Sequence, residues 1–141
     1  MKLTIYLNFP GNCREALAYY EQHLGGKPLT VSTWDQMPGP QNLPPGITRE
    51  SVMHARITIG DTMVMASDGP PERVQPMRSA YVCYSAENNE EAERVYKALT
   101  AGGEVFMAIG ETFFAHRFGQ LRDKFGINWM VIHEKPMPAR A

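Results

Sequence analysis

The chain has 141 residues, 43% hydrophobic and 21% charged, with 14 Lys and Arg set against 15 Asp and Glu. This is one compact domain's worth of protein, or two joined halves too small to stand alone, and a net charge of -1 gives no general attraction to phosphate backbones or anionic membranes. Two cysteines, Cys13 and Cys83, are too few for a disulfide scaffold. The N-terminus lacks the apolar core and cleavage pattern of a secretion signal, and no segment approaches the ~18 apolar residues of a membrane helix. The expectation is a cytoplasmic protein with neither nucleic acid nor membrane as partner.

Residues 2–8 alternate as a strand, with Leu3, Ile5 and Leu7 on one face and Thr4, Tyr6 and Asn8 on the other. Pro10-Gly11-Asn12 stops it. Asn12 is a candidate cap for a helix from Cys13 to Leu24, which Gly25-Gly26 ends. A second strand is expected over 28–34. Residues 35–46 hold four prolines and two glycines and read as a long loop, either a surface excursion or a lid. Strand alternation resumes over 51–59, turns at Gly60-Asp61 in a hairpin, and continues over 62–66.

After a Pro-rich bend at 67–77 the plan repeats. Residues 80–85 are strand-like, Asn88 or Asn89 caps a helix over 91–99, and Gly102-Gly103 ends it. Glu15-Ala16 and Tyr20 recur as Glu91-Ala92 and Tyr96, an offset of 76. Strands follow near 104–108, 112–119 and 127–133, with residues 123–126 as a turn. Two copies of strand–helix–strand–strand–strand result, and neither can bury its sheet face alone.

That order, with Tyr6-Leu7-Asn8-Phe9-Pro10-Gly11-Asn12-Cys13, Glu15-Ala16, Tyr19-Tyr20, Leu24-Gly25, Glu111 through His116, and Asp123-Lys124-Phe125-Gly126 through Trp129-Met130, resembles the vicinal-oxygen-chelate superfamily. The superfamily contains glyoxalases, extradiol dioxygenases and antibiotic-binding resistance proteins, and the chain is most similar to its PhnB-like branch. The resemblance implies an α+β fold: two βαβββ modules, residues 1–70 and 78–135, forming a curled mixed sheet around a shared cavity in a single domain over 1–141. It also implies a homodimer. Proteins of this branch have often carried a ubiquinone methyltransferase label. No glycine-rich strand-to-helix turn of the kind that binds a nucleotide-like cofactor supports that label here.

In metal-using relatives each module contributes two ligands, usually His and Glu, from its first and last strands. The resemblance places these positions at Thr4, with Ile5 or Tyr6 if the alignment slips, at Met63 or Met65, at Tyr81 and at Met130. None is His, Asp or Glu, and uncharged thioether sulfur is a poor partner for hard divalent ions. No metal or other cofactor is expected. Strand parity then lines the cavity with Thr4, Tyr6 and Asn8; Met63, Met65 and Ser67; Tyr81 and Cys83, with Ser85; and Asn128 and Met130, with Ile132. Such a surface suits a small, largely apolar or aromatic ligand oriented by a few hydrogen bonds, although the same side chains would also fill a solid core.

His116, His54 and Glu111 are the weak catalytic candidates. An imidazole can both donate and accept, and near neutral pH it can move a proton. His54 and His116 occupy corresponding strands and could pair to hold an adventitious metal, or each could be a structural histidine. Cys13 lies at a helix start, where backbone amides can lower a thiol's pKa. Phe113-Phe114 and Trp129 suit either ring stacking or core packing. The leading expectation is metal-independent binding of a small molecule, including its sequestration. The alternatives are a metal-dependent lyase, isomerase or dioxygenase built on His54, His116 and Glu111, and a structural or interaction module without ligand.

Overall fold

The computed structural model describes residues 1–39 and 41–137; Pro40 of the Pro-rich loop lies outside the described residues, as do positions 138–141. The chain divides into two compact units, the first ending at Gln75 and the second beginning at Pro76. The first runs β1 (Ile5–Phe9), α1 (Cys13–Leu24), β2 (Lys27–Thr33), a 3-10 turn (Trp34–Gln36), β3 (Val52–Ile59) and β4 (Thr62–Asp68). The second runs β5 (Val82–Ser85), α2 (Asn89–Thr100), β6 (Glu104–Gly110), β7 (Ala115–Arg122) and β8 (Asn128–Glu134). The expected βαβββ order is present twice, and the class is α+β. Each unit has an open four-stranded mixed sheet, ordered β1-β4-β3-β2 in one and β5-β8-β7-β6 in the other. Each first strand pairs parallel with the last of its unit; the remaining pairs are antiparallel.

Helix α1 buries Cys13, Ala16, Leu17, Tyr20 and Leu24, a single stripe at helical spacing. Leu7 and Phe9 of β1, Ala55 and Ile57 of β3, and Val64 and Ala66 of β4 complete the core of this unit. Gly25 ends the helix with a left-handed backbone at φ 70°, its N–H returning to the Tyr20 carbonyl. The N-terminus differs from expectation. Asn12 makes no side-chain capping bond. The Asp68 carboxylate, arriving from the end of β4, accepts from the Cys13 N–H at 2.9 Å and from the Val52 N–H at 2.8 Å. One anion thus answers the exposed amides of the helix start and fixes the start of β3 against it.

In the second unit Asn88 does cap α2, accepting from the Glu91 N–H at 2.7 Å. Glu91 reaches back to the Glu87 N–H at 2.9 Å and also accepts from the Tyr84 hydroxyl at 2.7 Å. These bonds hold its carboxyl below the usual carboxylate range, the Glu87 backbone being the first cause. Ala92, Val95 and Leu99 face the sheet. The Asp123 carboxylate organises the β7–β8 turn, accepting from the amides of Phe125 and Ile127 and from the Trp129 indole N–H. Trp129 is therefore a core residue.

The strand boundaries shift by two or three residues from expectation. Leu3 and Thr4 precede β1 and are exposed, so Leu3 does not pack toward the helix. Strand β4 extends to Asp68, and β7 begins at Ala115 rather than 112. The Gly60-Asp61 hairpin turn is present, with Gly60 at φ +59°. Within loop 35–46 the base is tied down: the Asp35 N–H bonds to the Arg49 carbonyl at 2.8 Å, and the Gln41 amide bonds to the Trp34 carbonyl at 2.5 Å.

Candidate functional site

Each sheet turns one face to its helix and leaves the other open. On the open face of the first sheet, pairing sets Tyr6 beside Met65 and Asn8 beside Ser67, while Ser32 lies beside His54 and Thr30 beside Arg56. Three of the expected wall residues form one hydrogen-bonded chain here. The Tyr6 hydroxyl donates to Ser67 Oγ at 2.9 Å, and Ser67 Oγ donates to Asn8 Oδ1 at 3.0 Å. Met65 flanks them half-buried, as does Met63 farther along β4. Thr4 lies outside the strand and is exposed.

The chemistry of this chain follows from its directions. Because Ser67 accepts from the phenol, its own proton must go to an acceptor, which is the Asn8 amide oxygen. An amide oxygen is no general base, so Ser67 is not an activated nucleophile. The nearest imidazole is otherwise engaged: the His54 ring lies 5.9 Å from that of Tyr6, and its Nε2 accepts from Arg56 Nε at 3.3 Å. That contact places the proton of a neutral His54 on Nδ1. Tyr6 remains 46% exposed, so part of its phenol is accessible. The arrangement can orient a polar group and cover an apolar one.

On the open face of the second sheet, Cys83 pairs with Met130 and Ser85 with Ile132, while Gln120 and Phe118 flank them from β7. Cys83 is exposed, but partial burial of its sulfur and then the Glu134 charge hold the thiol above its ordinary pKa, against a hydrogen bond with Ser85. Tyr81 lies just before β5, half-buried, its ring edge-on to Phe106 at 6.4 Å. Asn128 is placed otherwise than as a wall residue. It is fully buried, its amide nitrogen donating to the Arg78 and Ala80 carbonyls at 3.0 and 3.1 Å and its oxygen accepting from Arg122 at 3.1 Å. Its polar atoms clamp the segment entering β5 and leave nothing to offer a ligand.

The catalytic candidates are not drawn together into an acid–base pair within the second unit. His116 stacks on His133 with ring centroids 4.8 Å apart, and His133 in turn contacts Asn89 Oδ1 at 2.8 Å. Glu111 faces Lys135 at 3.8 Å. Among the described residues, no three His, Cys, Asp or Glu side chains gather in a group that could hold a metal ion. The positions expected for family ligands carry an exposed threonine, half-buried thioethers and a phenol, a donor set that does not fit a hard divalent ion. Cys13 is also corrected: burial, reinforced by the Asp68 charge, pushes its thiol up to about 12, so it is no nucleophile.

Sequence reasoning missed Asp68, Arg56 and Arg73. Asp68 acts on a helix that begins 55 residues earlier, beyond any local capping pattern. Arg73 sits in a Pro-rich bend with no periodicity to mark it. It lines, with Asn8, Gly69, Pro70, Val74 and Gln75, a cleft of about 520 Å³ at the end of β4.

Comparison with known proteins gives a consistent grouping. The family model described as 3-demethylubiquinone-9 3-methyltransferase matches residues 1–132. The chain is 34% identical to Protein YjdN of Escherichia coli K12 over 147 aligned positions, covering 99% of this chain and all of that one. Among solved structures it is similar to PA1353 from Pseudomonas aeruginosa, at TM-score 0.83 and 36% identity over 96% of this chain and 99% of that chain. It is also similar to a PhnB protein from Bacillus cereus described as a putative 3-demethylubiquinone-9 3-methyltransferase, at TM-score 0.81 and 25% identity over 94% and 99%. A glyoxylase/bleomycin resistance protein/dioxygenase domain from Frankia sp. EAN1pec shares the fold at TM-score 0.66 and 13% identity, over 96% and 98%.

Proposed function

We propose that this chain, which belongs to the PhnB-like family described as 3-demethylubiquinone-9 3-methyltransferase, binds a small, largely apolar or aromatic molecule without a metal. The observation that carries this reading is the Tyr6–Ser67–Asn8 hydrogen-bond chain on an open sheet face beside Met63 and Met65. A thioether and phenol surface offers polarizable contact, and a short fixed row of hydroxyl and amide groups orients one polar substituent. Methyl transfer, the chemistry in the family's description, finds no glycine-rich cofactor turn to support it: the strand-to-helix connections read Pro10-Gly11-Asn12 and Ala86-Glu87-Asn88.

The test is a thermal-shift series on the full chain with phenol, benzyl alcohol and benzamide, followed by titration. A ligand at 100 times its Kd adds ~2.7 kcal/mol of apparent stability. The wild-type protein is stabilised, and Tyr6→Phe, which keeps the ring and removes the donor, binds about tenfold more weakly, the loss of a hydrogen bond worth ~1.4 kcal/mol. Absence of any response across the series, or equal affinity for wild type and Tyr6→Phe, overturns the reading. The same reading includes a homodimer, supported by the apolar side chains that edge strand β6 leaves exposed at Val105, Phe106 and Met107. A monomer mass by light scattering would remove that part.

A further inference from the structure

We infer that the cleft at the end of β4 takes an anionic head group, so that the ligand is a small organic acid, carboxylate or phosphonate, whose apolar body lies along the Tyr6–Met65 face. This rests on the binding reading above and names its ligand class. The cleft is shallow and open to solvent, and its lining contains donors but no carboxylate. Arg73 supplies the charge. Among the described residues it has no ion-pair partner, unlike Arg117 with Glu93 or Arg122 with Glu104. Its backbone is set by a turn: Pro70 and Pro71 restrict φ, and the amides of Arg73 and Val74 both return to the Pro70 carbonyl, at 2.8 and 3.2 Å.

Asn8 joins this cleft to the hydrogen-bond chain. With its oxygen committed to Ser67, the polar group it retains is the amide NH2, a donor. Gln75 adds a second amide. A planar guanidinium flanked by amide donors matches a carboxylate or phosphonate, which accepts several hydrogen bonds at once, better than any neutral group. Gly69 lets Val74 pack close against the backbone beneath the cleft: a Cβ there would sit 2.7 Å from a Val74 methyl and 3.8 Å from Asn8 Oδ1. Its own N–H is spent on the Phe9 carbonyl at 2.8 Å, so the anion is met by side chains.

The experiment titrates the full-length chain by amide NMR with benzoate, phenylphosphonate and benzamide, for wild type, Arg73→Gln and Arg73→Lys. At least one acid is expected to shift the amide signals of Gly69, Arg73 and Val74 and to bind more tightly than benzamide. Arg73→Gln weakens the acids tenfold or more and leaves benzamide unchanged, and Arg73→Lys, which keeps the charge but not the fork, recovers part of the loss. A response to only one of the two acids identifies the head group. Acids binding Arg73→Gln as tightly as wild type, or benzamide matching both acids, overturns the acid assignment while the binding reading stands. No response to any of the three probes overturns both.

Discussion

A thiol in the first turn of a helix ordinarily gains from the exposed backbone amides, which favour the thiolate. Cys13 occupies that position and is fully buried, and the Asp68 carboxylate that caps the helix adds a like charge to any thiolate formed. Desolvation, then the Asp68 charge, outweigh the opposing Arg14 charge and raise the pKa from 9.0 to about 12. The consequence for stability has a definite sign. Below pH 9 the thiol is protonated in both folded and unfolded chains and costs nothing. Between pH 9 and 12 the unfolded chain releases a proton that the folded one retains, so stability falls with rising pH by about 1.4 kcal/mol per unit from this group. Tyr84, whose hydroxyl is held by Glu91 and raised to about 12, chiefly by burial, adds a second loss of the same sign from pH 10. Urea denaturation at pH 8 and pH 11 should show Cys13→Ala with the shallower alkaline decline; a decline as steep as wild type would remove Cys13 as its source. The sequence placed Cys13 at the helix start but could not show the fate of its thiol, because the deciding carboxylate comes from another strand.

At the scale of the element, α1 shows what local patterns can and cannot carry. Its span of Cys13–Leu24 was legible because the apolar stripe and the Gly25-Gly26 stop are both encoded within a few residues. Its cap was not: Asn12 has the right residue type in the right place, yet its buried side-chain oxygen has no partner and the capping bond is made by Asp68. The two positions therefore separate in a denaturation experiment. Asp68→Asn removes the charge and leaves one of the two amides facing an NH2 group, for an expected loss of about 2–3 kcal/mol. Asn12→Ala removes an unsatisfied acceptor and is expected to cost less than the ~1 kcal/mol of an ordinary cap deletion. A larger loss for Asn12→Ala than for Asp68→Asn would return the cap to Asn12. The candidate site follows the same division. Alternation along β1 and β4 put Tyr6, Asn8, Met63, Met65 and Ser67 on one face, whereas Asn128, equally polar and equally placed by parity, is consumed by two carbonyls before β5 that no periodicity announces.

At the scale of the whole chain, the repeat was legible as an order of elements, and that order determines the sheets. In each unit the last strand pairs with the first, placing β4 and β3 inside one sheet and β8 and β7 inside the other. Strands β1 and β2 edge one sheet, and β5 and β6 the other. Of the edge pairings, those of β2 on β3 and β6 on β7 carry register shifts, and β6 exposes every residue from Glu104 to Ala108. An edge strand has hydrogen-bond partners on one side only, and bulges interrupt even those, so its amides open by local fluctuation while interior strands wait for a larger unfolding. At concentrations low enough to leave the chain monomeric, native-state hydrogen exchange should therefore rank the strands alike in both units: β4 and β3 far slower than β2, β8 and β7 far slower than β6, by about two orders of magnitude where the local opening costs ~3 kcal/mol less. Protection of β6 equal to that of β8 at higher concentration would show that this edge is covered in solution, as the proposed homodimer requires.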